Sequence, residues 1–160
     1  QQAAALGQRL QRIYEDHGRQ KVSIVGYSLG GIYARELARL YPDMVESVIT
    51  LGSPFGMQDA RLSETYRAFH GNTSADTNIH AALLEPPPVP TTSLYALADD
   101  IVPWENSLNP VSPQAENLPI RPGHLRMPFD AAVARMIIDR LAEPDQNWRP
   151  MTAKVCVSRL

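Results

Sequence analysis

The sequence predicts an α/β fold in one domain: a mainly parallel sheet of about four strands flanked by helices. Three observations carry this expectation. Up to Leu51 the periodicities run helix, strand, helix, strand, the order of a right-handed parallel βαβ unit. The strands are continuous apolar runs rather than alternating ones, as strands covered on both faces are. The length, 160 residues, suffices for one hydrophobic core.

Taken in order, Leu6, Leu10, Ile13 and Tyr14 recur at helical spacing and Gly18 stops the pattern. KVSIVG at 21–26 is a buried strand. From Gly30 to Tyr41 the spacing predicts a helix with Ile32, Tyr33, Leu37 and Leu40 on one face, closed by Pro42. ESVITL at 46–51 is the second strand. A helix is expected at 62–69, GNTSADTN (71–78) reads as loop, and a short helix follows at 79–84. PPPVP at 86–90 is a stiff extended lead-in to a third strand, SLYALA, at 93–98. ENLPI at 116–120 is a weaker fourth strand, which Pro119 restricts to a sheet edge. The last helix is expected to start at Pro128, with Val133, Met136, Ile137 and Leu141 on its buried face. Residues 143–160 read as an irregular tail, and 56–91 as an insert or cap-like region of the single 1–160 domain.

Composition narrows the function classes. Hydrophobic residues make up 44% and charged ones 20%, as in soluble globular domains. A net charge of −2 and a pI near 6.1 argue against a nucleic-acid footprint. No apolar run reaches transmembrane length. The lone Cys156 has no disulfide or CxxC partner, which fits a reducing compartment such as the cytoplasm. The start, QQAAALGQRL, reads as part of an amphipathic helix, so a preceding segment is expected and the compartment stays open.

The chemistry concentrates in GYSLGG, residues 26–31, where strand passes to helix with no spare residue. A dinucleotide loop would need glycine where Ser28 stands, and a P-loop would need lysine where Ile32 stands. A sharp elbow relieved by Gly26 and Gly30, with Tyr27 and Leu29 beside the serine, fits instead. Ser28 then projects at the C-terminal edge of the sheet, and the N–H of Leu29 at the helix start is a candidate oxyanion donor.

A nucleophilic serine needs a base and an acid from the same sheet edge. His17 enters the first strand at the wrong end, while His70 and His80 in the insert read as surface residues. His124 follows the fourth strand, in a turn stiffened by Pro122 and Gly123, and is the candidate base. Asp43 precedes its strand and is excluded. Asp99 and Asp100 directly follow the third strand, with Asp59 a lesser alternative. Two carboxylates facing inward would repel, so one of the adjacent pair turns to the histidine, and spacing alone leaves that choice open.

The order Ser, Asp, His is that of α/β-hydrolases. GYSLGG resembles the elbow of bacterial lipase and esterase-like members of that superfamily, and TLGSPFGM the segment after it. YALADDIVPW resembles the acid-bearing segment and GHLRM the histidine segment. The resemblance runs from about residue 5 to 142. It implies a partial α/β-hydrolase fold with Ser28, Asp99 and His124 as catalytic residues, and carboxylic-ester hydrolysis of a small-molecule ester or lipid. No metal or organic cofactor is implied. Thioester or amide cleavage by the same residues is an alternative. The family's strands before the elbow strand, and the HG-type loop that supplies a second oxyanion N–H, have no counterpart ahead of Ser28. The chain is therefore expected to be the C-terminal part of a larger hydrolase. Its first strand would then be an exposed apolar edge, open to a second copy, and a non-enzymatic self-associating module is the rival reading.

Overall fold

A computed structural model of the chain describes residues 2–71, 78–143 and 148–151. Cys156, most of GNTSADTN and most of the expected irregular tail lie outside the described residues. Four strands, β1 (Val22–Tyr27), β2 (Val45–Leu51), β3 (Thr91–Ala96) and β4 (Ala115–Ile120), form one sheet in the order β1-β2-β3-β4. Every pairing is parallel, and Tyr27 lies opposite Leu51, Leu51 opposite Leu94, and Leu94 opposite Leu118. The chain leaves each strand at the same edge, so the loops after β1 to β4 gather there.

Helices α1 (Gln2–Asp16), α2 (Leu29–Leu40) and α5 (Ala131–Leu141) pack on the sheet, and α3 (Ala60–His70) and α4 (Ile79–Leu84) pack on α2. Alternation along the strands splits the core. Ile49, Leu51, Leu94, Ala96, Leu118 and Ile120 pack with Val133 and Met136 of α5. Val45 and Val48 pack with Leu10 of α1 and Ala34, Leu37 and Ala38 of α2. A third cluster joins Ile32 of α2 to Phe55, to Leu62 of α3 and to Ile79 and Leu83 of α4. The apolar residues of the 56–91 region therefore form local core, and some of them also line the cavity described below.

Buried charge staples the far end of the sheet. Glu116 on β4 meets Arg140 of α5 at 3.0 Å and accepts hydrogen bonds from Thr92 Oγ1 (2.7 Å) and Met151 N (2.6 Å). Burial strengthens these contacts and makes loss of either partner costly.

The structure shifts some expected boundaries. β3 ends at Ala96, because Asp99 N bonds back to Ala96 O and turns Leu97 and Ala98 out of the sheet. Pro128 does not start the last helix. It sits in a 3₁₀ turn spanning His124–Phe129, and α5 begins at Ala131 because Asp130 is the stronger start signal. The Asp130 carboxylate accepts from Ala132 N and Val133 N, satisfying two of the free first-turn donors. Pro119 lies on β4, an edge strand, where its missing N–H is tolerated. β1 is the other edge, with Val25 44% exposed.

Candidate active site

Ser28 leaves β1 and enters α2 in one residue, at φ 52° and ψ −125°. A non-glycine residue in that region costs about 1–3 kcal/mol and persists only where its surroundings enforce it. Here Ser28 N donates to Leu51 O at 2.8 Å, and Gly31 N donates to Ser28 O at 3.0 Å. Strand and helix approach so closely that a Cβ at Gly26 would lie 2.5 Å from Gly30 O. One at Gly31 would lie 1.9 Å from Ser53 Oγ. Gly30 instead faces open space, so relief of the elbow falls to Gly26 and Gly31 rather than to Gly26 and Gly30.

Ser28 Oγ is 3.1 Å from His124 Nε2, and His124 Nδ1 is 2.8 Å from Asp99 Oδ2. The His124 and Asp99 side chains are 3% and 1% exposed. Asp99 Oδ1 accepts from Ile101 N (3.0 Å) and Val102 N (2.8 Å), which fixes the carboxylate and aims Oδ2 at the imidazole. A proton on Nδ1 donated to that carboxylate leaves the Nε2 lone pair to accept from the Ser28 hydroxyl. Asp100 is exposed, so of the adjacent pair it is Asp99 that turns inward. Asp59 is committed elsewhere: it caps α3 through Arg61 N at 2.7 Å and pairs with the Arg61 guanidinium at 2.9 Å. Those bonds hold its carboxyl below the ordinary 3.8.

The other histidines stand apart. His17 Nδ1 reaches Ile13 O at 2.9 Å, at the C-terminal end of α1. His70 is not the surface residue the insert suggested. Its Nε2 meets the fully buried Glu36 at 2.6 Å, and its ring stacks on Tyr66 at 4.4 Å. His80 is half-buried rather than exposed.

One contributor was not singled out in the sequence. Gly52, just past β2, has φ 51°, and a Cβ there would lie 2.9 Å from Asp99 Oδ2 and 3.0 Å from His124 Nδ1. Only a residue without a side chain lets the end of β2 close over Asp99 and His124. Its place at the sheet's C-terminal edge was the available signal. Tyr27, expected beside the serine, also makes a contact that the motif does not announce: its hydroxyl donates to His124 O at 3.1 Å.

Beside Ser28 lies a cavity of about 220 Å³ lined by Leu29, Pro54, Met57, Leu62 and Val102, with the Asp59–Arg61 pair on its wall. Leu29 opens α2, so its N–H belongs to the first turn, where no intrahelical acceptor exists. Among the described residues no group of three His, Cys, Asp or Glu side chains is placed to hold a metal. No described helix is long and apolar enough to cross a membrane.

Residues 2–79 match the family model of the α/β-hydrolase fold. Solved structures of that fold cover most of the remainder. The chain has a partial α/β-hydrolase fold. An α/β-hydrolase enzyme from a sediment metagenome of the Mar Chica lagoon, Morocco, is similar over 86% of this chain and 70% of its own, at TM-score 0.53 and 20% identity. A structure of the metagenome-derived lipolytic enzymes LipS and LipT matches over 88% and 70%, at TM-score 0.59 and 15% identity. A thioesterase domain from the curacin biosynthetic pathway matches over 85% and 71%, at TM-score 0.55 and 14% identity. No curated protein sequence matches the chain. The four parallel strands and their helices are thus a partial α/β-hydrolase sheet, with Ser28, Gly52, Asp99 and His124 on the edge where that fold gathers its loops.

Proposed function

We propose that this chain carries the catalytic residues of a serine hydrolase that cleaves carboxylic esters through an acyl-enzyme. The observation that carries the reading is the continuous path Ser28 Oγ–His124 Nε2 (3.1 Å) and His124 Nδ1–Asp99 Oδ2 (2.8 Å). Ser28 Oγ attacks the acyl carbonyl while His124 Nε2 takes its proton. Asp99 stabilises the imidazolium through Nδ1–H. The Leu29 N–H, at the positive end of α2, receives the developing oxyanion. His124 then protonates the leaving alcohol, and a water activated at the same nitrogen releases the acid and restores Ser28.

The apolar cavity beside Ser28 suits the acyl part. A dry cavity of about 150 Å³ holds one benzene, so 220 Å³ accommodates roughly six to nine carbons. The same chemistry serves a thioester, which a panel of matched oxygen and sulfur esters separates. A fluorophosphonate probe tests the assignment. Wild-type protein is expected to be labelled and to hydrolyse p-nitrophenyl butyrate, and Ser28→Ala to do neither. Labelling that persists in Ser28→Ala overturns the reading.

A second reading rests on β1, the edge strand, whose outer backbone groups can pair with a further strand. A second copy of the chain is the occupant proposed, giving a dimer with or without turnover. Sedimentation velocity over a hundred-fold concentration range is expected to show dimer at the upper end. A monomer throughout overturns this reading.

A further inference from the structure

We infer that Tyr27, the residue before the nucleophile, is a positioning residue that holds His124 over Ser28. The inference rests on the serine-hydrolase reading for its catalytic consequence, but not for its geometry. His124 opens the 3₁₀ turn His124–Phe129, and the turn's own bonds, Arg126 N and Met127 N to Gly123 O, tie it only to itself. The Asp99 carboxylate fixes the rotation of the imidazole through one nitrogen. It does not fix how far the loop backbone stands from the elbow. The Tyr27 hydroxyl does so, donating to the His124 carbonyl at 3.1 Å across 97 residues of sequence.

The ring adds a second restraint. Tyr27 lies 5.0 Å from the imidazole, centroid to centroid, tilted by 40°. It also packs against the cluster that contains Met127 and Ile120. The nucleophile and its base are thus referenced to adjacent residues, Ser28 in the elbow and Tyr27 at the end of β1, so motion of the strand end carries both. Burial first, and the Asp99 charge second, push the Tyr27 pKa above its ordinary 10.0. The phenol therefore stays protonated, and stays a donor, throughout the range in which an imidazole can act as base.

Tyr27→Phe removes the hydroxyl and keeps the ring, so the fold is preserved. One lost hydrogen bond corresponds to about a 3- to 10-fold effect. On p-nitrophenyl butyrate, kcat is expected to fall by about that factor with KM within about two-fold. A structural role alone would not produce that split. The independent readout is the low-field proton NMR signal of the His124 Nδ1–H. Its solvent exchange is expected to accelerate several-fold in Tyr27→Phe at an unchanged melting temperature. An exchange rate equal to that of wild type overturns the inference, whatever kcat does. If wild-type protein shows no Ser28-dependent turnover, the hydrolase reading fails, and the His124 signal still decides the positioning role of Tyr27.

Discussion

Asp99→Asn is expected to lower kcat for ester hydrolysis by about 10⁴ while leaving the fold intact. The size follows from which atoms the substitution keeps. Asp99 Oδ1 accepts from Ile101 N and Val102 N, and an amide oxygen can take over both bonds. The amide nitrogen is then left facing His124 Nδ1 at 2.8 Å, where the carboxylate oxygen stood. An NH₂ there can only donate, so Nδ1 must accept and the imidazole proton moves to Nε2. That nitrogen, 3.1 Å from Ser28 Oγ, then has no lone pair to receive the serine proton. The side chain is 1% exposed, so water cannot restore the tautomer. Asp100→Asn, one residue along and exposed, is the control and is expected to stay within about two-fold of wild type. Steady-state kinetics at neutral pH measure both. Equal losses in the two variants would mean that Asp99 is not the acid.

Much of this site was legible in the sequence because it depends on topology and one-letter patterns. A parallel sheet with all loops at one edge sorts candidates by whether they follow or precede a strand, and that filter removed His17 and Asp43. Choosing Asp99 over Asp100 required the family resemblance, since the alternation of neighbouring side chains says only that they point apart. The structure supplies the physical reason: Oδ1 of Asp99 is held by the two amides that follow it.

What stayed hidden is what depends on distance between remote segments. Following β2 puts Gly52 on the loop-bearing edge, but the string does not say that a Cβ there would strike Asp99 and His124. Nothing shows that His70 reaches Glu36, because a histidine in an irregular insert looks solvated until its helix is docked. Motif spacing points to Gly26 and Gly30 for relief of the elbow, whereas Ser53, from the loop after β2, presses on Gly31 and leaves Gly30 open. Two signals compete for the start of α5, a proline and an aspartate two residues later. The aspartate wins by satisfying two amides.

The largest effect on stability is expected from Arg35→Met, at about 2–4 kcal/mol. Arg35 on α2 is fully buried, and its guanidinium lies 3.9 Å from the Phe55 ring centroid. Nη2 donates to the carbonyls of Leu83 (3.2 Å), Leu84 (3.0 Å) and Glu85 (3.0 Å), and Nη1 donates to Asn109 Oδ1 at 2.6 Å. Leu83 and Leu84 end α4, six residues long, and Glu85 is its C-cap, so these carbonyls have no intrahelical partner. Methionine fills much of the same space and relieves the cost of burying a charge. It also strands several acceptors, each worth about 1–3 kcal/mol if left bare. The second contribution wins because Arg39, which also reaches Leu83 O and Glu85 O, leaves Leu84 and Asn109 unserved. Arg35→Lys is expected to recover little, since a single ammonium cannot bridge a helix end and an amide. Burial pushes the Arg35 pKa well down from its ordinary value, to about 9. Both folded and unfolded chains therefore hold its proton between about pH 6 and 8, and the stability difference is expected to be flat there. Urea unfolding should show a lower midpoint at unchanged slope, with amide exchange accelerated first in residues 79–85. An unchanged midpoint would mean that the carbonyls regain partners without Arg35. The consequence reaches the site through packing. Leu83 shares a cluster with Leu62, and Leu62 is a wall of the cavity beside Ser28, so loosening α4 should raise KM for longer acyl chains before it alters kcat.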